Sequence, residues 1–189
     1  GQIVPLQGRA LLQAHPAANL ADLSYFVRTA FALQAFEQAA LLFHAAGVVH
    51  RRAAYVFFGH SGSGKTTVAR LSRGKRVLND DLLLLHRAAP GWRVLATPFG
   101  RRRGVEISAA PLRALLCLTQ ALDDRIEQLP RGIALGELIA NTPVVNTDPA
   151  RSQELMNYWE AVMADVPVCR LYFRKADTFW EVIDGQIGG

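Results

Sequence analysis

Hydrophobic positions change their period several times along the chain, and each change marks an element boundary. Residues 1–19 show no sustained period and read as an N-terminal extension, or as a fragment of a missing upstream region. Beyond them Leu23, Phe26, Val27, Ala30, Phe31 and Leu33 recur at helical spacing. This predicts one long amphipathic helix from an N-cap at Asp22 to about residue 40. Two short runs rich in strand formers follow, 41–49 and 53–58, and the polar His50, Arg51 and Arg52 between them fit a hairpin turn. The spacing next predicts a helix over 65–71. A strand over 76–85 follows, with Gly74-Lys75 as the turn before it and Pro90-Gly91 as the turn after it. Residues 93–97 are expected to pair back on that strand.

Residues 98–110 lack periodicity and read as a surface loop longer than the common connection of about 4–6 residues. A strand is expected over 114–119. Residues 131–139 stand between helix and loop, because Gly132 and Gly136 weaken a helix. Asp148-Pro149 is a helix start, and Leu155, Trp159, Val162 and Met163 then share one face. A strand over 166–173 and a helix over 177–183 complete the chain. Strands interleaved with helices throughout predict an α/β fold.

Composition narrows the class. The 189 residues are 50% hydrophobic and 20% charged, which fits one folded domain over 20–189. No internal repeat or low-complexity segment is visible. The formal charge of +5, mostly from arginine, favours polyanionic partners without choosing among them. No RNA- or DNA-binding motif is present, so nucleic acid is not the expected partner. The most apolar window, 30–49, is interrupted by Gln34, Glu37, Gln38 and His44 and is too polar to span a membrane. Cys117 and Cys169 read as reduced thiols, and the expected compartment is the cytoplasm. Oligomeric state is left open, a homo-oligomer included.

The segment Gly59, His60, Ser61, Gly62, Ser63, Gly64, Lys65, Thr66 matches G-x-x-x-x-G-K-[ST] at every fixed position. An apolar run precedes it and a helix-compatible stretch follows, the strand–loop–helix setting that a phosphate cradle needs. Gly59, Gly62 and Gly64 let the backbone curl so that successive N–H groups form an anion nest. Lys65 would reach the β- and γ-phosphates of a nucleoside triphosphate such as ATP, and the Thr66 hydroxyl would ligate Mg²⁺. The His60 amide would help whatever its side chain, leaving the imidazole as a rim contact. Thr67 closes the nucleotide-binding segment. The alternative is a Gly/Ser-rich turn that merely caps a helix.

Asp80-Asp81 follows within an otherwise apolar run. Neighbouring strand residues point to opposite faces, so both carboxylates can serve one site only near a strand end or a bulge. One Asp could then bind Mg²⁺ while the other accepts a proton from an attacking hydroxyl. The alternative is an exposed residue or an ion-pair partner. His44, taken alone, is more often a satisfied core residue. Arg101, Arg102 and Arg103 could neutralise phosphate charge or form a solvated loop, and Glu106 is a candidate extra acid on the metal side.

Taken together, LLFHAAGVV with its histidine, a short hairpin, AYVFFG, HSGSGKTT and VLNDDLLLL resemble, in order and spacing, the catalytic domain of HPr kinase/phosphorylase and its compact relatives. TPFG at 97–100, APLRALLCL at 110–118 and VPVCRLYFRKADTFWEVI at 166–183 extend the resemblance over residues 20–184. It implies a P-loop-containing, HPr kinase/PEP carboxykinase-like mixed sheet flanked by helices. It further implies an ATP- and Mg²⁺-dependent kinase acting on a hydroxyl, such as a serine of a protein or precursor peptide. By position it implies catalytic roles for Lys65, for Asp80 as the acid/base and for His44 near the phosphates. Asp81 becomes, with Thr66, the metal-side ligand, with the order of the two aspartates open to exchange. The long glycine-containing signature of HPr kinases proper is not recognisable in 100–107, so neither HPr as acceptor nor phosphorolysis is implied. A small-molecule kinase and a nucleotide-binding regulatory module with little turnover are the rival readings.

Overall fold

A computed structural model describes residues 1–100 and 109–188. In chain order the elements are β1 (Gln2–Val4), β2 (Arg9–Leu11), α1 (Leu20–Glu37), β3 (Ala40–His50), β4 (Ala53–Phe58), α2 (Lys65–Leu71), β5 (Arg76–Asn79), β6 (Leu82–Ala88), β7 (Gly91–Ala96), β8 (Ala109–Gln120), β9 (Arg125–Gln128), α3 (Arg131–Ala140), α4 (Ser152–Asp165), β10 (Val168–Phe173) and α5 (Phe179–Gln186). The fold is α/β, with a mixed sheet flanked by helices.

Two long strands organise the sheet. The first half of β3 pairs antiparallel with β6. Its second half pairs with β4 on one side and β5 on the other. β8 likewise pairs with β7 at its start, then runs parallel to β4 and to β10. β5 and β4 are both antiparallel to β3 and so point the same way. β4, β5, β8 and β10 therefore all end on one edge of the sheet, where ligands of α/β proteins commonly bind.

Strand alternation feeds two cores. Ala54, Val56 and Phe58 of β4 join Leu115 and Cys117 of β8 on the face covered by α3 and α4. Tyr55 and Phe57 join Leu116, Leu118 and Phe173 on the face covered by α2 and α5. Because β4 is buried on both faces, it reads as a continuous apolar run rather than an alternating one. Trp159 of α4 is fully buried; its ring stacks at a tilt on Phe43, 4.8 Å between centroids, and its indole N–H donates to Thr142 Oγ1 at 3.0 Å.

Several expectations shift. α1 begins two residues before Asp22: Asn19 is the cap, and the Asp22 carboxylate accepts from the Asn19 amide at 3.0 Å. That is a reciprocal capping box, in which Asp takes the place of the usual Glu. Residues 1–19 are not featureless, since β1 and β2 form an antiparallel hairpin. The hairpin turn at Arg51 and Arg52 has both residues at positive φ, +48° and +68°, matching the twist of the flanking strands. The strand expected over 76–85 is two strands, β5 and β6, interrupted at Asp80-Asp81.

β8 begins at Ala109, well before the strand expected over 114–119, and takes in Pro111. Arg131–Ala140 is a helix, with Gly132 and Gly136 free of any close neighbour. β9 carried no strand signal. A short 3-10 turn, Pro149–Arg151, stands between the Asp148-Pro149 start and α4. Arg101, Arg102, Arg103 and Glu106 lie outside the described residues. Among the described residues, no helix is long and apolar enough to cross a membrane.

Candidate functional site

The loop between β4 and α2 carries the glycine motif. Gly59, Gly62 and Gly64 have φ of +142°, +83° and +114°, a region that side chains rarely tolerate. Gly64 is doubly constrained, because a Cβ there would lie 2.5 Å from the Phe173 ring. The glycine spacing thus meets both the curl of the loop and its seat against β10. Beneath the loop, Lys65 is 8% exposed and its ammonium donates to the carbonyls of Gly59 (2.7 Å) and His60 (3.2 Å). Burial pushes the Lys65 pKa down, and the Asp81 carboxylate partly opposes that shift.

A cavity of about 280 Å³ opens above this loop at the carboxyl edge of the strands. Ser61, Gly62, Gly64, Lys65, Thr66 and Thr67 form one wall, and His44, Asp80 and Asp81 the other. Gln120, at the end of β8, and Lys175, just past β10, complete it. Most of the residues expected at the site therefore converge. Gly59, His60 and Ser63 do not line it: the His60 imidazole donates to the Ser61 carbonyl at 2.7 Å, and Ser63 is buried behind the loop.

The two aspartates share the site because the strand breaks at Asn79. Its side-chain carbonyl accepts from the amides of both Asp80 (2.7 Å) and Asp81 (3.1 Å), turning the chain out of the ladder. The Asn79 amide in turn donates to the Thr97 carbonyl at 2.9 Å, and the Thr97 hydroxyl donates to the Leu82 carbonyl at 2.7 Å. Gly100 lies so close to the Asn79 side chain that any Cβ would collide with it. The TPFG segment is thus the brace of the two-aspartate turn.

The aspartates differ in company. Asp81 Oδ1 lies 3.5 Å from His44 Nε2 and its Oδ2 lies 3.7 Å from Arg28. Asp80 Oδ1 is buried and has no hydrogen-bond partner among the described residues. A buried carboxylate oxygen without a donor is costly unless a ligand supplies one. Oxygen donors from Asp80 and the Thr66 hydroxyl suit a hard cation such as Mg²⁺, although among the described residues no cluster of three or more His, Cys, Asp or Glu side chains stands ready to hold a metal.

Asn79, Thr97, Arg28, Gln120 and Lys175 were not expected as site residues. Gln120 and Lys175 follow the ends of parallel strands, a signal that appears only once strand direction is known. An Asn directly before two acids in an apolar run was the available sign of a side-chain-made turn. Fold and site together define an α/β protein with a glycine loop and paired carboxylates facing one cavity. No family model matches the sequence, and no curated protein matches it.

Proposed function

We propose that this protein is an ATP- and Mg²⁺-dependent kinase of HPr-kinase-like, P-loop type, which transfers the γ-phosphoryl group to a hydroxyl of a protein or peptide. The observation that carries this reading is the cavity in which the G-x-x-x-x-G-K-T loop faces Asp80, Asp81 and His44 across one space. A phosphate cradle alone serves any nucleotide-binding protein. Paired carboxylates opposite it serve phosphoryl transfer, which needs charge neutralisation and an acceptor for one proton.

Lys65 and the loop amides hold the phosphates, and Lys175 adds a second cation at the rim. Thr66 and Asp80 would hold Mg²⁺, which when bound neutralises phosphate charge. We favour the exchanged order of the aspartates: Asp80 offers the unpartnered oxygen, whereas Asp81 is already compensated by Arg28 and His44. Asp81 then accepts the hydroxyl proton as the acceptor oxygen bonds to the γ-phosphorus. The bond from that phosphorus to the β,γ-bridging oxygen breaks, and the products are ADP and a phosphate monoester.

The test is binding of Mg²⁺–ATP by calorimetry, followed by transfer of labelled γ-phosphate in wild type, Asp81→Asn and Asp80→Asn. Asp81→Asn should cut transfer sharply while still binding nucleotide, and Asp80→Asn should raise the Mg²⁺ concentration needed. Wild-type protein that binds no ATP would end the kinase reading.

A further inference from the structure

A second cavity, about 240 Å³, lies between α1, β3 and the turn after α3. Tyr25, Leu42, Leu82, Pro143 and Val144 give it a largely apolar lining, with Arg28 and Thr29 on its α1 wall. Among the described residues it shares only His44 and Asp81 with the phosphate cavity. The His44–Asp81 pair is therefore the partition between a phosphate site on one side and an apolar pocket on the other.

The wall opposite α1 is held under strain. Val144 has φ +71° and ψ −63°, and the Val145 amide donates to the Pro143 carbonyl at 2.9 Å. This is a γ-turn of the rare hand centred on a β-branched residue, a conformation that costs free energy and that recurs at ligand clamps. Leu42 and Leu82 form the base, with exposures of 1% and 6%, and pack with Ala32 as a small core cluster. The pocket is preformed.

We infer that this pocket is the acceptor subsite, and that it takes an aliphatic or aromatic side chain next to the hydroxyl-bearing residue of a peptide. The inference rests on the kinase reading above. Three features select this occupant. Apart from the His44–Asp81 pair and Arg28, which lies 3.7 Å from Asp81, the lining is apolar and gives an entering side chain mostly hydrocarbon to pack against. The volume fits one side chain rather than a whole ligand, which leaves the rest of the acceptor outside, as a peptide leaves its backbone. The shared partition places whatever fills the pocket beside Asp81, so that a hydroxyl one residue away meets both the base and the γ-phosphorus.

The experiment uses the whole chain with Mg²⁺, γ-labelled ATP and a peptide library containing one central serine and varied neighbours. Wild type should prefer Leu, Ile, Met or Phe over Asp or Lys at one position beside the serine, by about tenfold or more. Thr29→Trp, which fills the pocket from α1, should flatten that preference and leave the affinity for Mg²⁺–ATP unchanged. The Thr29 hydroxyl donates to the Tyr25 carbonyl of its own helix at 2.9 Å, and Thr29 does not line the phosphate cavity. Tyr25→Ala, at a position 73% exposed, should weaken the preference without affecting folding. A library labelled without apolar preference, a preference undiminished in Thr29→Trp, or a library left unlabelled by ATP-binding protein would each overturn the subsite. Failure to bind ATP would instead remove the kinase reading, and the subsite with it.

Discussion

Lys65 shows how much a single side chain settles here. Its ammonium is buried against two loop carbonyls, and burial holds its pKa below the ordinary lysine value. Bound phosphates would push that pKa back up. In the window between the two values, nucleotide binding should take up a proton, and affinity should fall as pH rises through it; below that window no proton is exchanged. Calorimetry in buffers of different ionisation enthalpy measures this uptake, and Lys65→Ala should remove it while weakening binding at every pH. For the aspartates, Asp81→Asn is expected to lower kcat by about 10²- to 10⁴-fold, the usual contribution of a general base. Nucleotide affinity should change little. A similar loss in Asp80→Asn with an unchanged Mg²⁺ requirement would reverse the assignment of the two.

At the scale of elements, the turn between β5 and β6 is where local chemistry overrides strand propensity. Asn79 is 1% exposed and ties two amides of the turn to Thr97. Asn79→Ala leaves buried polar groups unpaired and should cost about 1–3 kcal/mol in denaturant unfolding. Phosphotransfer should fall further than stability, because both carboxylates lose their anchor. This turn also marks the limit of what the sequence makes legible. The glycine loop, its flanking strand and helix, and the hairpin before it follow from residue types that only one backbone course suits. The interruption at Asp80-Asp81 does not, because Val77, Leu78 and residues 82–85 have the apolar pattern of one strand, and the bracing Thr97 and Gly100 are distant in sequence. The start of β8 is hidden in a related way, since Pro111 lacks an N–H and fits a strand only where the ladder does not need one. Gln120 and Lys175 join the site through strand direction, a property of pairing rather than of local pattern.

Over the whole molecule, the two cores meet through strands buried on both faces, and their thiols report on the assembly. Burial, with the Glu137 charge adding to it and Arg170 opposing, pushes the Cys117 thiol up to about 11. A thiol raised in the folded state keeps its proton where the unfolded chain loses it. Cys117 should therefore cost nothing below the ordinary thiol value and should erode stability as pH rises from there to about 11. Its labelling by a thiol reagent at neutral pH should track global unfolding; fast labelling of native protein would contradict the packing.

β3 changes partners between His44 and Ala45: the His44 amide donates to the Asn141 carbonyl at 2.9 Å, and the Ala45 amide to the Asp81 carbonyl at 3.0 Å. The partition that separates the two cavities is thus stitched into the point of the sheet where β3 exchanges β6 for β4 and β5. Its clock is that of the sheet, not of the loops around it. The Ala45 amide should exchange its hydrogen as slowly as the deepest strand residues, with or without nucleotide, even while the glycine loop exchanges quickly when empty. Substrates would arrive at a wall already standing, and only the cradle would have to settle around them.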